Sequence, residues 1–192
     1  MLRSTRLAVL VGLGLLALGS AARAEIDPLT RQPLVTYVDP AKAQATAIPR
    51  EIVDYPTRQR PGTIVVNTTE RRLYFVLPDG KAMRYGVGVG RPGFDWAGAH
   101  AITRKAEWPS WTPPSQMLKR RPDLPRHMAG GPDNPLGARA LYLGSTLYRI
   151  HGSNEPETIG QAVSSGCIRM LNEDVIDLYD RAKVGTRVVV AR

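Results

Sequence analysis

The sequence predicts a mainly β domain with short helices, and three observations support this fold class. Runs rich in Val, Ile, Tyr and Phe recur from residue 62 onward, as in TIVVNTT (63–69), RRLYFVL (71–77) and TRVVVAR (186–192). Turn-forming segments separate such runs, and PDGK (78–81) leads from the second run into AMRYGVGVG. Only one stretch shows the apolar period of an amphipathic helix.

The first 24 residues are expected to be a secretory signal peptide. Arg3 and Arg6 precede an apolar run from Leu7 to Leu18, and the small residues of a cleavage site follow at 22–24. The run is shorter than the roughly 20 residues that span a membrane, so a cleaved signal is favoured over an uncleaved anchor helix. We therefore expect a periplasmic or cell-envelope protein whose mature chain begins near Glu25.

Residues 25–60 are expected to form a proline-rich N-terminal arm or linker, and residues 61–192 the domain. Six prolines and no glycine occur between residues 25 and 61, a composition that favours an extended spacer. The net charge of +9 falls to +6 when the three arginines of the expected signal are removed. A basic exported protein favours an anionic cell wall or membrane surface over nucleic acid, and a soluble protein with a basic face is the alternative.

Further elements follow from local patterns in the domain. ALYLG (140–144) and TLYRIHG (146–152) flank Gly144-Ser145 and predict a second hairpin. EDVIDLYDRAK (173–183) predicts a helix that Asn172 caps. Residues 91–139 are predicted to be a long loop, in which Trp111 either lines a substrate groove or packs under the loop.

Gly88, Gly90 and Gly93 spell G-x-G-x-x-G, but they predict no dinucleotide site. Such a fingerprint must open a helix, and here Pro92 lies inside the motif and RPGFDWAG follows it. The glycines are instead expected to permit bends or close backbone contacts in a β structure.

Cys167 is the only cysteine of the chain, so it has no internal disulfide partner and is a candidate reactive thiol. No metal or other cofactor is expected, because the three histidines show no H-E-x-x-H spacing and no C-x-x-C pair exists. His151 ends a predicted strand, and Cys167 follows 16 residues later, just before the predicted helix. An imidazole can take the proton of a thiol, so the two residues are a candidate base and nucleophile for acyl transfer.

The surroundings of Cys167 fit the same chemistry. Backbone N–H groups of Ser165, Gly166 and Cys167 could stabilise an oxyanion, because glycine lets the chain turn its amides toward one point. Arg169 could bind a carboxylate with two parallel hydrogen bonds. The residues alone still leave open that Cys167 and His151 are packing residues.

The segment HGSNEPETIGQAVSSGCIRMLNED (151–174) resembles the signature of the L,D-transpeptidase catalytic domain of the YkuD type. That pattern has a His-Gly pair, a loop, Ser-x-Gly-Cys, an aliphatic residue and then Arg or Asn. The matching residues here are His151, Gly152, Ser164, Gly166, Cys167, Ile168 and Arg169. The resemblance covers roughly residues 61–191 and includes VGTRVVV (184–190).

The resemblance implies a β-sandwich or barrel-like domain that acts on peptidoglycan stem tetrapeptides. It implies that Cys167 attacks the bond between a third-position diamino acid and D-alanine, so that a thioester forms and D-alanine leaves. His151 would act as base and then as acid, with its ring oriented by the Gly152 carbonyl. Ser164, Arg169 and Trp111 complete the candidate site as substrate-binding residues. Such an enzyme would serve cell wall organisation and cell shape.

Two points stay open from the sequence. Many family members have a histidine where this chain has Ser165, which suffices if that residue contributes only its backbone N–H. The acyl acceptor is also undetermined: it could be a second stem peptide, giving a 3–3 cross-link, or an outer-membrane protein or lipoprotein that becomes anchored. Water as acceptor would make the protein an L,D-carboxypeptidase or endopeptidase, and a non-catalytic wall-binding module is a third alternative.

Overall fold

The computed structural model describes residues 48–192, so the expected signal peptide and most of the expected arm lie outside the described residues. The strands are β1 (Glu51–Asp54), β2 (Ile64–Asn67), β3 (Arg72–Val76), β4 (Lys81–Gly86), β5 (Val89–Gly90), β6 (Gly98–Glu107), β7 (Arg139–Leu143), β8 (Arg149–His151), β9 (Ala162–Ser164), β10 (Ile168–Arg169) and β11 (Arg187–Ala191). The helices are α1 (Ser115–Arg120), α2 (Asn172–Arg181) and a 3-10 turn at Pro156–Thr158. From residue 48 onward, no helix combines the length and apolar character that crossing a membrane requires. The predicted fold class, mainly β with short helices, is confirmed.

Nine of the described strands form one sheet in the order β1-β4-β3-β2-β11-β6-β7-β8-β10, and β5 pairs with β9 separately. Strand β6 changes its pairing partner along its length: its first half pairs with β11 and its second half with β7. The register is irregular between Ile102 and Arg104, where the change occurs. One core cluster combines Leu73 and Tyr85 from one side of β6 with Leu141 and Ile150 from the other. The two parts of the sheet therefore enclose a common core, as in a sandwich.

Both predicted hairpins are present. Asp79 and Gly80 have φ values of 59° and 67° at the tip of the β3–β4 hairpin, the left-handed conformations that a tight hairpin turn needs. The β7–β8 hairpin turns at Gly144, whose φ is 56°. Gly and Asp adopt such conformations more readily than most residues, which is why these turns are legible in the sequence.

The predicted loop at 91–139 is wrong for the ten residues of β6, and α1 also lies within it. Ile102 is the one residue of β6 that is fully buried, so the strand lacks the apolar alternation that would have predicted it. Backbone pairing with β11 and β7 defines this strand instead.

Helix α2 begins one residue earlier than predicted, at Asn172, so Asn172 lies inside the helix and does not cap it. Asn172 instead accepts a hydrogen bond from the Ala138 N–H (2.9 Å) and donates one to the Ser153 carbonyl (3.1 Å). At the other end, Lys105 Nζ donates to the carbonyls of Tyr179 (2.6 Å) and Ala182 (2.7 Å), where a cation complements the helix dipole. The helix is thus tied at both ends to the part of the sheet that contains β7 and β8.

Strand β1 lies inside the stretch expected to be an extended arm. It pairs antiparallel with β4, from Glu51 opposite Arg84 to Asp54 opposite Lys81. Ile48 packs against Gly86, where an added Cβ would come within 2.7 Å of the Ile48 Cβ. The domain boundary at residue 61 remains a prediction.

Candidate active site

His151 and Cys167 are brought together by two neighbouring parallel strands. His151 is the last residue of β8, and Cys167 immediately precedes β10, which pairs with β8 so that Arg169 lies opposite His151. The Met170 N–H donates to the His151 carbonyl at 2.8 Å and continues this pairing. Both side chains line one cavity of about 420 Å³, together with Ser164, Ser165, Arg169 and Trp111 from the sequence-predicted set.

The His151 ring is held in one tautomer. Its Nδ1 lies 2.5 Å from the Gly152 carbonyl oxygen, and since a carbonyl can only accept, Nδ1 carries the proton. The Nε2 lone pair is therefore free to act as a base. Burial, reinforced by the nearby Arg169 cation, lowers the pKa of His151 from 6.5 to about 3. The imidazole is neutral at physiological pH.

Cys167 is half-buried, and its Sγ lies 3.8 Å from the Leu147 carbonyl oxygen. Burial raises the pKa of the thiol, while the positive charges of Arg149 and Arg169 act in the opposite direction. The resting pair is thus a thiol beside a neutral imidazole. In general-base catalysis, such a pair would pass the proton of Sγ to the histidine as the sulfur attacks a substrate.

The loop that presents Cys167 is held by its own serine. Ser164 Oγ donates to the Cys167 carbonyl (2.6 Å) and accepts from the Gly166 N–H (3.1 Å). This finding corrects one expected oxyanion donor, because the Gly166 N–H is already engaged. Within residues 48–192, the backbone N–H groups of Ser165 and Cys167 have no such acceptor and remain candidates.

Gly166 has a φ of 105° and is packed against aromatic residues. An added Cβ would come within 2.6 Å of Tyr148 Cε1, so this position has no room for a side chain. Trp96 Nε1 donates to the Gly166 carbonyl at 2.7 Å, and the Trp96 ring stacks on Tyr148 at 4.4 Å. The glycine before the cysteine therefore lets the loop lie directly on this aromatic pair.

Arg169 lines the cavity but is not an isolated cation. Its Nη1 donates to Glu155 Oε2 at 2.7 Å and lies 3.3 Å from Thr158 Oγ1. Its backbone exchanges two hydrogen bonds with Gly88, at 2.8 and 2.9 Å. Arg169 therefore offers a substrate only the part of its guanidinium that Glu155 leaves free.

The long segment before β7 provides the other wall of the cavity. Trp111 pairs with Met128 through two backbone hydrogen bonds of 2.8 Å, and α1 contributes Met117 and Arg120 to the lining. A second cavity of about 700 Å³ adjoins the first, and the two share Trp111, Ser165 and Arg169.

Sequence reasoning missed several residues of this site. Phe94, Met117, Leu136, Leu147, Tyr148 and Arg149 line the first cavity. Of these residues, Arg149 was the easiest to predict from the sequence. It lies two residues before His151, and alternate residues of a strand share a face. The His127 ring lies 3.2 Å from the Thr112 hydroxyl and does not line the cavity. It therefore does not take the place of the histidine that many family members have at the position of Ser165. Across the described residues, no cluster of three or more His, Cys, Asp or Glu side chains could hold a metal ion.

Comparison with known proteins is consistent with this geometry. Residues 61–190 match the L,D-transpeptidase catalytic domain family, YkuD. The probable L,D-transpeptidase ErfK/SrfK of Escherichia coli K12 is 39% identical over 160 residues, which are 79% of this chain and 50% of that protein. The chain spans about half the length of this relative, and also of the probable L,D-transpeptidases ErfK/SrfK of Salmonella typhimurium and YbiS of Escherichia coli K12, which it matches at 36% and 39% identity.

Solved structures share the fold. An L,D-transpeptidase from Mycobacterium smegmatis has a TM-score of 0.55 at 16% identity, with 68% of this chain and 58% of that chain covered. A Brucella melitensis protein described as a probable carnitine operon oxidoreductase is 44% identical with a TM-score of 0.52, and 78% and 98% of the chains are covered. The G-x-G-x-x-G motif at residues 88–93 does not form a dinucleotide-binding site in this chain. Such a motif opens a helix, whereas Val89 and Gly90 form strand β5 and Gly93 lies in a turn.

Proposed function

Because the chain belongs to the L,D-transpeptidase catalytic domain family, we propose that it acts in the periplasm on peptidoglycan stem tetrapeptides through a Cys167 thioester. The observation that carries this proposal is the shared cavity of Cys167 and His151, in which the Gly152 carbonyl leaves Nε2 as the free base. The expected signal peptide would deliver the protein to that compartment.

In the first half-reaction, Cys167 Sγ bonds to the carbonyl carbon of the third-position residue while its proton passes to His151 Nε2. The backbone N–H groups of Ser165 and Cys167 stabilise the resulting oxyanion. The carbon–nitrogen bond then breaks, the departing D-alanine nitrogen takes the proton from Nε2, and a thioester remains.

In the second half-reaction, an acceptor amine attacks the thioester and passes a proton to Nε2. The carbon–sulfur bond breaks as the new amide forms, and the thiolate regains its proton from the imidazolium. Two adjoining cavities that meet at Ser165, Trp111 and Arg169 support an enzyme with room for a second substrate, so we propose an amine acceptor over water. A stem peptide gives a 3–3 cross-link, and an outer-membrane protein or lipoprotein becomes anchored.

Mass spectrometry of muropeptides incubated with the mature protein tests this proposal. Cross-linked dimers and a protein mass increased by one acyl group are expected, and Cys167→Ala should abolish both with an unchanged thermal midpoint. His151→Gln should slow thioester formation by about 100- to 10,000-fold, the range for loss of a general base. Trimmed tripeptides without dimers would point to water as acceptor, and product formation by Cys167→Ala would exclude the thioester.

A further inference from the structure

Arg149 stands beside the catalytic pair in the fold, although the mechanism above does not use it. Arg149 and His151 are alternate residues of β8, so their side chains leave the same face of the strand. Ile150 between them is fully buried in the core. Both Arg149 and His151 line the 420 Å³ cavity that contains Cys167.

The guanidinium of Arg149 reaches the immediate neighbourhood of the thiol. Its Nη2 donates to the Leu147 carbonyl at 3.2 Å, and the same carbonyl oxygen lies 3.8 Å from Cys167 Sγ. One carbonyl thus contacts both the nucleophile and the arginine. A group bound by Arg149 would lie close to the atoms that react.

Arg149 lacks the acidic partner that other arginines of this region have. Arg169 pairs with Glu155 and Arg139 pairs with Glu107, whereas no carboxylate among residues 48–192 pairs with Arg149. Its Nε is buried and has no hydrogen-bond acceptor in the described part of the chain. Among the residues that line the cavity there is no Asp or Glu at all. A partly buried guanidinium without a counter-charge is a binding site for an anion.

We infer that Arg149 binds the α-carboxylate of the amino acid that leaves the donor peptide, an inference that rests on the proposed function. In that reaction the scissile nitrogen faces His151 Nε2 and the scissile carbon faces Cys167 Sγ. The α-carboxylate of the departing residue is separated from that nitrogen by a single carbon. Arg149, on the same strand face as His151, is placed to take this carboxylate and so selects donors with a free C-terminus.

The same contact extends to the acceptor. An incoming amine attacks from the position that the departing nitrogen has left, because the second half-reaction reverses the first. An amine that carries its own α-carboxylate therefore meets Arg149 again.

The test compares a stem tetrapeptide with a free C-terminal carboxylate against the same peptide as its C-terminal amide. The measured quantity is kcat/KM for thioester formation by the wild-type chain, Arg149→Gln and Arg104→Gln. Arg104 is the matched control, because it contacts the same Tyr142 ring as Arg149 (3.6 and 5.5 Å) but lies exposed, outside the cavity.

The wild-type chain and Arg104→Gln should prefer the acid over the amide by about 10- to 100-fold, the usual effect of a charge-assisted hydrogen bond. Arg149→Gln should reduce this preference to less than about threefold by slowing the acid peptide alone. Equal slowing of both peptides would show a structural role and overturn the inference. If Arg149→Gln does not fold, the wild-type ratio decides, and a ratio near one overturns the inference. A wild-type chain that forms a thioester with neither peptide overturns the proposed function, and the role of Arg149 falls with it.

Discussion

Acidification provides a direct test of the buried neutral state of His151. The side chain is 4% exposed, and burial lowers its pKa from 6.5 to about 3. As the pH falls below 6.5, the unfolded chain therefore binds a proton that the folded chain does not. The free energy of unfolding decreases from about pH 6.5 downward, and the decrease ends near pH 3.

Linkage gives the magnitude of this loss. With these two pKa values, His151 alone removes about 2 kcal/mol of stability between pH 7 and pH 5. Asp174 acts in the opposite direction, because burial raises its pKa from 3.8 to about 6 despite the Arg50 charge nearby. The folded state binds that proton first as the pH falls, which adds about 1 kcal/mol over the same interval. The two groups together leave a net loss of less than about 1 kcal/mol.

Urea unfolding followed by tryptophan fluorescence at pH 7 and pH 5 separates the two contributions. The measured quantity is the decrease in the free energy of unfolding from pH 7 to pH 5. This decrease should be about 2 kcal/mol smaller in His151→Gln than in the wild-type chain, and about 1 kcal/mol larger in Asp174→Asn. Each comparison is made within one variant, so a uniform stability cost of the substitution cancels. The slope m must agree between the two pH values for the free energies to be comparable. If His151→Gln and the wild-type chain lose the same stability, His151 is not a buried neutral group and the assignment of its base form is refuted.

Two further pairs of substitutions compare side chains of the same type in different surroundings. Ser164→Ala removes both hydrogen bonds that hold the cysteine loop and should lower kcat/KM for thioester formation by about 10- to 100-fold. Ser165 is proposed to act through its backbone N–H, so Ser165→Ala should change kcat/KM by less than about threefold. Equal effects of the two substitutions would contradict this difference between the serines. Asn172→Ala should cost about 2–4 kcal/mol of stability in urea unfolding, because a backbone N–H and a carbonyl lose their partner. Asn67→Ala should cost about 1 kcal/mol or less, because the Asn67 side chain at the end of β2 accepts a single exposed hydrogen bond, from the Glu70 N–H. Similar losses in the two asparagine variants would show that Asn172 is not a structural link.

The parts of the fold that the sequence predicted correctly are those with local causes. The PDGK turn and the Gly144 turn need left-handed residues, and the sequence supplies Asp and Gly there. Strand β6 has no such signal, because its residues are mostly exposed and its partners β11 and β7 come much later in the chain. Pairing between distant segments is not visible in a window of a few residues.

The candidate site divides in the same way. His151 and Cys167 stand out because a lone cysteine and a strand-ending histidine are distinctive in the sequence. The ion pair of Arg169 with Glu155 depends on how the 3-10 turn and β8 face the cavity, and so does the lack of a carboxylate partner for Arg149 among residues 48–192. Two arginines 20 residues apart thus differ in their ion pairing because of their surroundings.

The geometry of the candidate catalytic pair, His151 and Cys167, depends on the register of β10, a strand of only two residues. A slip of one residue would move Cys167 by about 3.3 Å relative to His151 and turn its side chain to the other face. The register is fixed by the hydrogen bonds of Arg169 to Gly88 and of Met170 to His151, and by Ile168, which is buried in the core. At Gly88 an added Cβ would come within 2.8 Å of the Thr158 carbonyl oxygen, so the close contact requires glycine. The first glycine of the G-x-G-x-x-G stretch therefore supports β10, the strand that follows Cys167, through backbone hydrogen bonds.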